Sequence, residues 1–252
     1  SFQAGAGDDV LLIDADDLAV NIHGGAGTDI VQVIGDRGVT LNLTEAEIEI
    51  AQGGRGNDVF IAGGHSTVYM RGGDGDDVLV GGSANDALSG EDGDDFINGG
   101  AGNDVLRGHR GRDQVMGGEG NDLIDGGLED DNLSGGAGDD VLIGGVGDDT
   151  ISGGDGVEVI GLSGDFSGER ITRTAEGVWI SDTVAGRDGT DFLQNVEKAN
   201  FKNLKLVEIP TATSEGMESA LLVKDVLSKD KSGVEFERTS AHLIGKEQLL
   251  QD

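Results

Sequence analysis

Cysteine is absent from this chain of 252 residues, proline occurs once, and aromatic side chains make up 4% of it. The absence of cysteine excludes disulfide bonds and thiolate metal sites. No apolar run approaches the roughly 20 residues of a membrane-spanning helix, so we expect no membrane span. No charged segment followed by an apolar one opens the sequence, so we also expect no Sec-type signal.

Basic residues are scarce as well. Lys and Arg number 17 against 49 Asp and Glu, which gives a net charge of −32. This charge excludes nucleic-acid binding driven by counterion release and argues against docking on anionic membranes. Glycine, in contrast, is abundant at 47 residues. Taken alone, such an acidic, glycine-rich composition is typical of a disordered segment.

A nine-residue unit repeated nine times without a gap, from Gly72 to Ser152, argues against disorder. The unit reads G-G-x-G-x-D-x-U-x, where U is a large aliphatic residue, and it is a signature of parallel β-helical repeats. A glycine pair in every unit excludes helix, because each glycine costs about 1 kcal/mol there. Position eight is aliphatic throughout, as expected for a short strand with one inward side chain: Leu79, Leu88, Ile97, Leu106, Val115, Ile124, Leu133, Leu142 and Ile151.

Strand and turn alternate in this pattern, so two units form one coil of eighteen residues, and successive coils stack in parallel about 4.8 Å apart. Each unit then lies beside the next but one, and the position-six aspartates form two rows. The first row contains Asp77, Asp95, Asp113, Asp131 and Asp149. The second row contains Asp86, Asp104, Asp122 and Asp140.

Stacked carboxylates repel one another unless a cation lies between them. Calcium fits this requirement because it accepts roughly six to eight oxygen ligands in flexible geometry, whereas magnesium needs a stricter octahedron and zinc prefers His or Cys. The rows offer four neighbouring pairs and three, so we expect about seven calcium ions or more. Without calcium, the thin core and the repulsion leave the chain expanded, and folding is coupled to metal binding.

Residues 1–71 are predicted to form a less regular solenoid, with strands over 10–13, 19–22, 30–34, 39–43, 48–51 and 59–62. Partial copies of the unit end at Asp9, Asp29 and Asp58, which we expect to add one to three calcium sites. The copy over 63–71 has lost its aspartate, because Val68 stands at position six. The regular roll is assigned to 72–156.

Residues 157–209 are predicted to form an antiparallel cap, after a degraded unit with Glu158 at position six. Strands over 170–174 and 178–183 form its hairpin. We expect Trp179 to cover the open end of the roll, together with Phe192, Leu193, Val196 and Phe201. Residues 210–252 are a polar linker and a mixed tail, with an apolar, Lys-rich stretch over 221–227 and a short amphipathic stretch over 242–250.

The nonapeptides resemble the repeats-in-toxin (RTX) family of calcium-binding proteins, and 188–197 is similar to the flank that often follows such arrays. The resemblance implies an all-β, right-handed parallel β-roll with the position-six aspartates as side-chain ligands. It also implies main-chain carbonyl ligands at turn glycines, namely Gly73, Gly75, Gly100, Gly102, Gly118, Gly120, Gly136 and Gly138. Members of the family leave the bacterial cell unfolded through a type I secretion apparatus and fold in external calcium.

The array departs from the consensus in a few turns. Ala84 and Glu129 replace the glycine of position four, and Glu91 and His109 replace that of position two, which puts the local turn geometry in question. A basic cluster falls within the array at Arg107, His109, Arg110 and Arg112. It either binds a partner or forms ion pairs that relieve carboxylate repulsion, and we favour ion pairs because opposite charges meet at each step.

We therefore interpret the chain as a monomeric calcium-binding folding module of a larger secreted or bacterial surface protein. The alternative is a calcium-rigidified spacer of a surface adhesin, because 243–252 resembles the opening of cadherin-like modules. No catalytic motif occurs, so any enzymatic or toxic activity is expected elsewhere in the parent protein. An ice-binding solenoid is rejected, because it would need a flat row of Thr and Asn at one repeat position, and position three varies from repeat to repeat.

Overall fold

The computed structural model describes residues 2–17, 22–162, 169–182, 189–196, 198–200, 207–208, 221–224 and 239–242. Over these residues the chain is an all-β parallel solenoid of about nine turns with a mixed antiparallel region near its C-terminal side, as the repeat predicted. Predictions for 19–21, Phe201, the linker after 210 and residues 243–252 lie outside the described residues. Among the described residues, no helix has the length and apolarity to cross a membrane.

The described elements are short, and those between residues 72 and 152 follow the repeat. In chain order they are β1 (Phe2–Ala6), β2 (Val10–Ile13), β3 (Ile22–Ala26), β4 (Ile30–Val33), β5 (Thr40–Asn42), α1 (Leu43–Ala46), β6 (Ile50–Gln52), β7 (Val59–Ile61), β8 (Tyr69–Asp74), β9 (Val78–Val80), β10 (Ala87–Asp92), β11 (Phe96–Ala101), β12 (Val105–Arg110), β13 (Gln114–Glu119), β14 (Leu123–Leu128), β15 (Asn132–Ala137), β16 (Val141–Val146), β17 (Thr150–Asp155), β18 (Val159–Gly161), β19 (Glu169–Arg173), β20 (Val178–Asp182), β21 (Thr190–Gln194), β22 (Lys198–Asn200), β23 (Val207–Glu208), β24 (Leu221–Lys224) and β25 (Thr239–His242).

Two sheets form the walls of the roll. The first sheet runs β2-β4-β6-β8-β10-β12-β14-β16-β18-β22-β23, and the second runs β19-β20-β21-β17-β15-β13-β11-β9-β7-β5. Neighbouring strands of the regular array are parallel and paired one coil apart, so that Leu88 lies beside Leu106 and Leu106 beside Ile124. Each unit therefore stacks on the next but one, as predicted.

Each repeat of the array buries three residues: the first glycine, the position-six aspartate and the position-eight aliphatic residue. Leu106 and Ile124, for example, have no exposed surface. Burying one such side chain contributes about 1.5–3 kcal/mol, so the apolar row stabilises the stack. Each strand contributes only one apolar side chain to this row. The other two buried positions of each repeat are the aspartate, with its carboxylate, and the glycine, which has no side chain.

The N-terminal region follows most of the predicted strands, but β1 was not predicted, and β3 meets the predicted run over 19–22 only at Ile22. Strand β2 coincides with the prediction for 10–13, and β4, β5, β6 and β7 fall on the other predicted runs within one or two residues. Helix α1 was not predicted. Asn42 caps it by accepting a hydrogen bond from the main-chain N of Glu45 at 3.1 Å, which is a preferred role of asparagine.

The C-terminal side contains the predicted hairpin, in which β19 pairs antiparallel with β20. The placement of Trp179 was wrong: it is 40% exposed, while Val178 and Ile180 on either side are buried. Strand alternation is the reason, because neighbouring side chains point to opposite faces. Trp179 instead packs on Phe192, with ring centroids 4.6 Å apart. Leu193 and Val196 are buried, as expected.

Candidate metal centre

The turns lie in two stacks along the two edges of the roll. We call the stack that contains 72–77, 90–95, 108–113, 126–131 and 144–149 the first ladder. The second ladder contains 81–86, 99–104, 117–122 and 135–140. Each turn ends in a position-six aspartate whose exposed fraction is only 1–3%. The two rows of aspartates predicted from the period are therefore present, and all of them point inward.

One oxygen of each carboxylate is held by the neighbouring coil. Oδ1 of Asp95 accepts a hydrogen bond from the main-chain N of Asp77 at 2.8 Å, and Oδ1 of Asp122 accepts one from Asp104 at 2.8 Å. The same bond recurs along both ladders. Hydrogen bonds between coils therefore fix the orientation of each carboxylate.

The other oxygen of each carboxylate, Oδ2, has a different environment. Seven Oδ2 atoms of the ladders are buried and accept no hydrogen bond: those of Asp77, Asp95, Asp104, Asp113, Asp122, Asp131 and Asp140. Buried polar atoms are normally satisfied, because an unpaired one costs about 1–3 kcal/mol and a charged one more. A row of such oxygens in repeated positions indicates a ligand with positive charge.

Burial also shifts the titration of these groups. Desolvation is the main cause that raises the pKa of Asp95 and of Asp131 to about 8, that of Asp77 to about 7, and those of Asp104, Asp113 and Asp122 to about 6. The main-chain hydrogen bond lowers each pKa by less, and neighbouring carboxylates raise several further. The fold alone therefore disfavours the charged form.

Glycine at position one makes room beside Oδ2. A β-carbon on Gly72 would collide with Oδ2 of Asp77, and one on Gly117 would collide with Oδ2 of Asp122. The same relation recurs at Gly90, Gly99, Gly108, Gly126, Gly135 and Gly144. The eight glycines predicted as carbonyl ligands all have left-handed φ values between 104° and 129°. Each turn is thus a cradle that a larger residue would fill.

Most departures from the consensus keep the turn conformation. Glu91 and His109 at position two have φ values of 84° and 82°, and Glu129 at position four has 74°. Such values are uncommon for residues with a side chain and cost about 1–2 kcal/mol. Ala84, in contrast, does not adopt a left-handed φ. The concern about turn geometry therefore applies to 81–86 and not to the other three replacements.

A second row of hydrogen bonds at position five was missed in the sequence. The side-chain oxygen of Asn103 accepts from the main-chain N of Asn121 at 2.8 Å, and that of Asn121 accepts from Asp139 at 2.9 Å. These bonds run to the following coil, opposite to those of position six. Asn or Asp occupies position five in every repeat of the array except one, which was a readable signal.

The exception is Arg112, in the basic cluster. Its main-chain N and its guanidinium both bond to Asp94 at 2.9 Å, and Arg110 lies 3.6 Å from Asp92. The main-chain bond and then the guanidinium lower the pKa of Asp94. These contacts agree with the ion-pair interpretation of the cluster.

The N-terminal turns contain one further pair of aspartates. The main-chain N of Asp9 donates to Oδ1 of Asp29 at 2.9 Å, and both Oδ2 atoms are buried without a hydrogen bond. The glycines of these two turns, Gly5, Gly7, Gly25 and Gly27, have left-handed φ values. The structure brings this predicted pair together with the same local geometry as the array.

Asp58 and Asp86 differ from the other predicted ligands. Their Oδ2 atoms accept hydrogen bonds from main-chain N atoms of their own turns, at 2.8 Å from Gly54 and 2.7 Å from Gly82. Desolvation raises both pKa values, and the bonds from these glycines lower them. Asp86 lies in the second ladder, and Asp58 lies one coil before Asp77 of the first ladder, but main-chain N–H groups of their own turns satisfy both carboxylates.

The first ladder continues beyond the array. After the hairpin, β21 pairs parallel with β17, and the main-chain N of Asp149 donates to Oδ1 of Asp191 at 3.2 Å. Asp191 is 1% exposed, and the main-chain N of Thr190 donates to Asp148 at 2.9 Å. Gly189, Asp191 and Leu193 keep the spacing of positions four, six and eight. This spacing could have been recognised in the sequence, although the hairpin separates it from the array.

A comparison with protein families agrees with this geometry. The family described as RTX calcium-binding nonapeptide repeat (4 copies) matches residues 45–66, 71–106, 89–124, 99–133 and 125–157. Residues 45–157 carry RTX calcium-binding repeats. No curated protein matches the chain. RTX repeats bind calcium and form a non-catalytic module, and the row of buried aspartates is consistent with that role.

The donor set also fits calcium. Within the described residues, no three His, Cys, Asp or Glu side chains converge on one point. An ion between two turns would thus combine a carboxylate from each with main-chain oxygens, and calcium tolerates such mixed oxygen ligands at about 2.3–2.6 Å. When bound, it would supply the positive charge that the buried Oδ2 atoms lack.

Proposed function

We propose that this RTX segment is a calcium-dependent folding module, which supports type I secretion and the stability of a larger secreted protein. The seven buried Oδ2 atoms without hydrogen bonds are the main support. They are spaced regularly along both ladders, as expected if ions rather than protein groups neutralise them. The proposed side-chain ligands are the position-six aspartates of the array other than Asp86, whose Oδ2 accepts a hydrogen bond from its own turn. The turn glycines are the proposed carbonyl ligands.

Charge makes the folding conditional. The chain carries a net charge of −32, and its ladders bring carboxylates into neighbouring coils. Ordering the backbone costs about 1–2 kcal/mol per residue, and a core one side chain wide offsets little of this while the carboxylates repel. Each calcium ion contributes two positive charges to the turns that need them. Metal binding and folding are then one process.

Calcium concentration gives this process a direction. Extracellular calcium-binding modules have dissociation constants of about 10⁻⁴–10⁻³ M, far weaker than those of cytosolic calcium sensors. A module of this affinity stays expanded inside the cell and folds outside it. The expanded chain can pass through a type I secretion apparatus, and folding on the far side opposes its return. The proposed location is therefore extracellular or at the bacterial cell surface.

A calcium titration followed by far-UV circular dichroism tests the calcium switch. We expect little β-structure in excess chelator and a cooperative gain as calcium rises. Magnesium at the same concentrations serves as the control and should give little gain. Equal β-content in chelator and in calcium would overturn the proposal.

A calcium-rigidified spacer of a surface adhesin is the second candidate. The continuation of the parallel stack through β21 and β22 favours it, because the solenoid extends past the array on the C-terminal side. The two functions differ in what calcium-site mutations do in a cell. Loss of calcium binding should reduce export if the segment supports secretion, but should leave export unchanged and weaken only the exported surface structure if it is a spacer.

A further inference from the structure

Two of the predicted ligands, Asp58 and Asp86, accept a hydrogen bond at Oδ2 from a main-chain N–H of their own turn. We call such a turn, and its Oδ2 atom, closed. The main-chain N of Gly54 lies 2.8 Å from Oδ2 of Asp58, and that of Gly82 lies 2.7 Å from Oδ2 of Asp86. Neither glycine has the left-handed φ that Gly73, one coil after Gly54, adopts at the same position. The position-two N–H therefore bonds to the same oxygen that accepts no hydrogen bond in Asp77 and Asp104.

The turn before each of these aspartates has valine at position six. Val39 precedes Asp58, Val68 precedes Asp86, and both valines are buried. Their main-chain N atoms donate to Oδ1 of the aspartates at 2.7 Å and 2.9 Å, which is the usual bond between coils. The ladders thus keep their register at this point, but one carboxylate is missing from each.

The remaining aspartates show the opposite pattern. The same bond between coils joins an aspartate to the aspartate of the next coil in three pairs: Asp58 and Asp77, Asp86 and Asp104, and Asp9 and Asp29. In each pair, Oδ2 of the second aspartate accepts no hydrogen bond. Oδ2 is therefore closed by its own turn where valine precedes it, and is not closed where aspartate precedes it.

Electrostatics explains the pattern. An ion between two turns gains attraction from a carboxylate on each side, and this attraction must exceed the desolvation of the ion. In the site between each valine and the aspartate that follows it, only one carboxylate is present, and a buried apolar side chain occupies the other half. An N–H from the same turn then satisfies the lone buried oxygen at less cost.

We propose that Val39 and Val68 end the two calcium ladders of the regular array on their N-terminal side, so that Asp58 and Asp86 bind no calcium. This inference rests on the proposed calcium binding of the array. Both carboxylate oxygens of Asp58 and of Asp86 accept main-chain hydrogen bonds, so neither residue offers a free oxygen to an ion shared with Asp77 or Asp104. This leaves four neighbouring pairs of ligand aspartates in the first ladder, from Asp77 to Asp149, and two in the second, from Asp104 to Asp140. The regular array then binds about six ions rather than seven, with one ion for each pair.

Calcium stoichiometry by calorimetry on the whole chain tests the closed turns. The variants are Asp58→Asn and Asp86→Asn, and the matched controls are Asp95→Asn and Asp104→Asn. We expect the first two to bind as many ions as the wild type and each control to lose at least one. Loss of an ion in Asp58→Asn or Asp86→Asn would overturn the inference. A wild type that binds no calcium would instead overturn the proposed function.

A gain of binding is the second test. Replacing the valine in Val68→Asp supplies the missing carboxylate beside Asp86, so this variant should bind one ion more than the wild type. Val68→Asn has a similar size without the charge and should bind no extra ion. Circular dichroism in saturating calcium identifies the variants that fold. An unchanged stoichiometry in a folded Val68→Asp variant would contradict the role of valine. If that variant does not fold, the stoichiometries of the four Asp→Asn variants decide.

Discussion

The main-chain N–H of Asp104 donates to Oδ1 of Asp122, one coil later, at 2.8 Å, while Oδ2 of Asp122 is buried and accepts no hydrogen bond. One carboxylate therefore has two roles. Its Oδ1 holds adjacent coils in register, and its Oδ2 is available to a cation. Structure and metal binding are coupled through this side chain, and the two roles can be separated by mutation.

Asp122→Asn and Asp122→Ala separate these roles. Asparagine keeps an oxygen for the N–H of Asp104 but removes the charge, so we expect a higher calcium midpoint with the fold retained in saturating calcium. Alanine also leaves a buried N–H unsatisfied and should be less stable than the asparagine variant by about 1–3 kcal/mol. Chemical denaturation in saturating calcium measures the difference. Equal stability of the two variants would show that the bond between coils contributes nothing.

Gly117→Ala tests the cradle. A β-carbon there would collide with Oδ2 of Asp122 and lie 2.5 Å from the carbonyl oxygen of Gly135. We expect the calcium midpoint to rise about tenfold or more, because backbone must shift before an ion can bind. Ala137→Ser, at an exposed position three, is the control and should leave the midpoint unchanged. The cradle is wrong if both variants titrate like the wild type.

Arg112→Glu should raise the calcium concentration needed for folding. The substitution replaces a cation bonded to Asp94 by an anion in the same turn, which adds repulsion to the first ladder. Arg107→Glu makes the same change in charge at a residue for which the described part of the chain shows no ion pair, and it should have a smaller effect. Circular dichroism titrations compare the midpoints. An unchanged midpoint in Arg112→Glu would exclude the ion-pair role.

The response to pH should reverse between chelator and calcium. Without metal, burial raises the pKa of six aspartates from 3.8 to values between about 6 and about 8, so the folded state binds more protons than the unfolded state. Stability of the metal-free roll is then greatest below the unfolded pKa and is lost as the pH rises through the folded values.

We therefore expect more β-structure in chelator at about pH 5 than at about pH 8. In limiting calcium the trend is opposite, because protons compete with the ion for the same carboxylates. Circular dichroism at both pH values, with and without calcium, measures this. Parallel trends in the two conditions would contradict a shared site for protons and calcium.

Sequence period alone predicted the solenoid, the register between coils and the two rows of aspartates. The period succeeds because every repeat places the same three residues inward, as Gly99, Asp104 and Leu106 illustrate. Strand alternation explains why Trp179 is exposed. The prediction for Trp179 was wrong because it gave more weight to the expectation that a large side chain caps the roll.

Features that depend on a neighbouring coil were not predicted. The turn that ends at Asp58 matches the consensus, yet it closes on itself because Val39 stacks before it. Asp191 joins the first ladder only because β21 returns to β17 after the hairpin. In both cases the deciding contact joins residues 19 or more positions apart. The sequence of a single repeat therefore does not predict it.

Amide hydrogen exchange at the ladder N–H groups tests the coupling of metal and fold most directly. The N–H groups of Asp77, Asp95, Asp104 and Asp122 each donate to a carboxylate of the next coil. We expect strong protection of all four in saturating calcium and exchange near the rate of an unfolded chain in excess chelator. Equal protection in both conditions would show that the roll is stable without calcium.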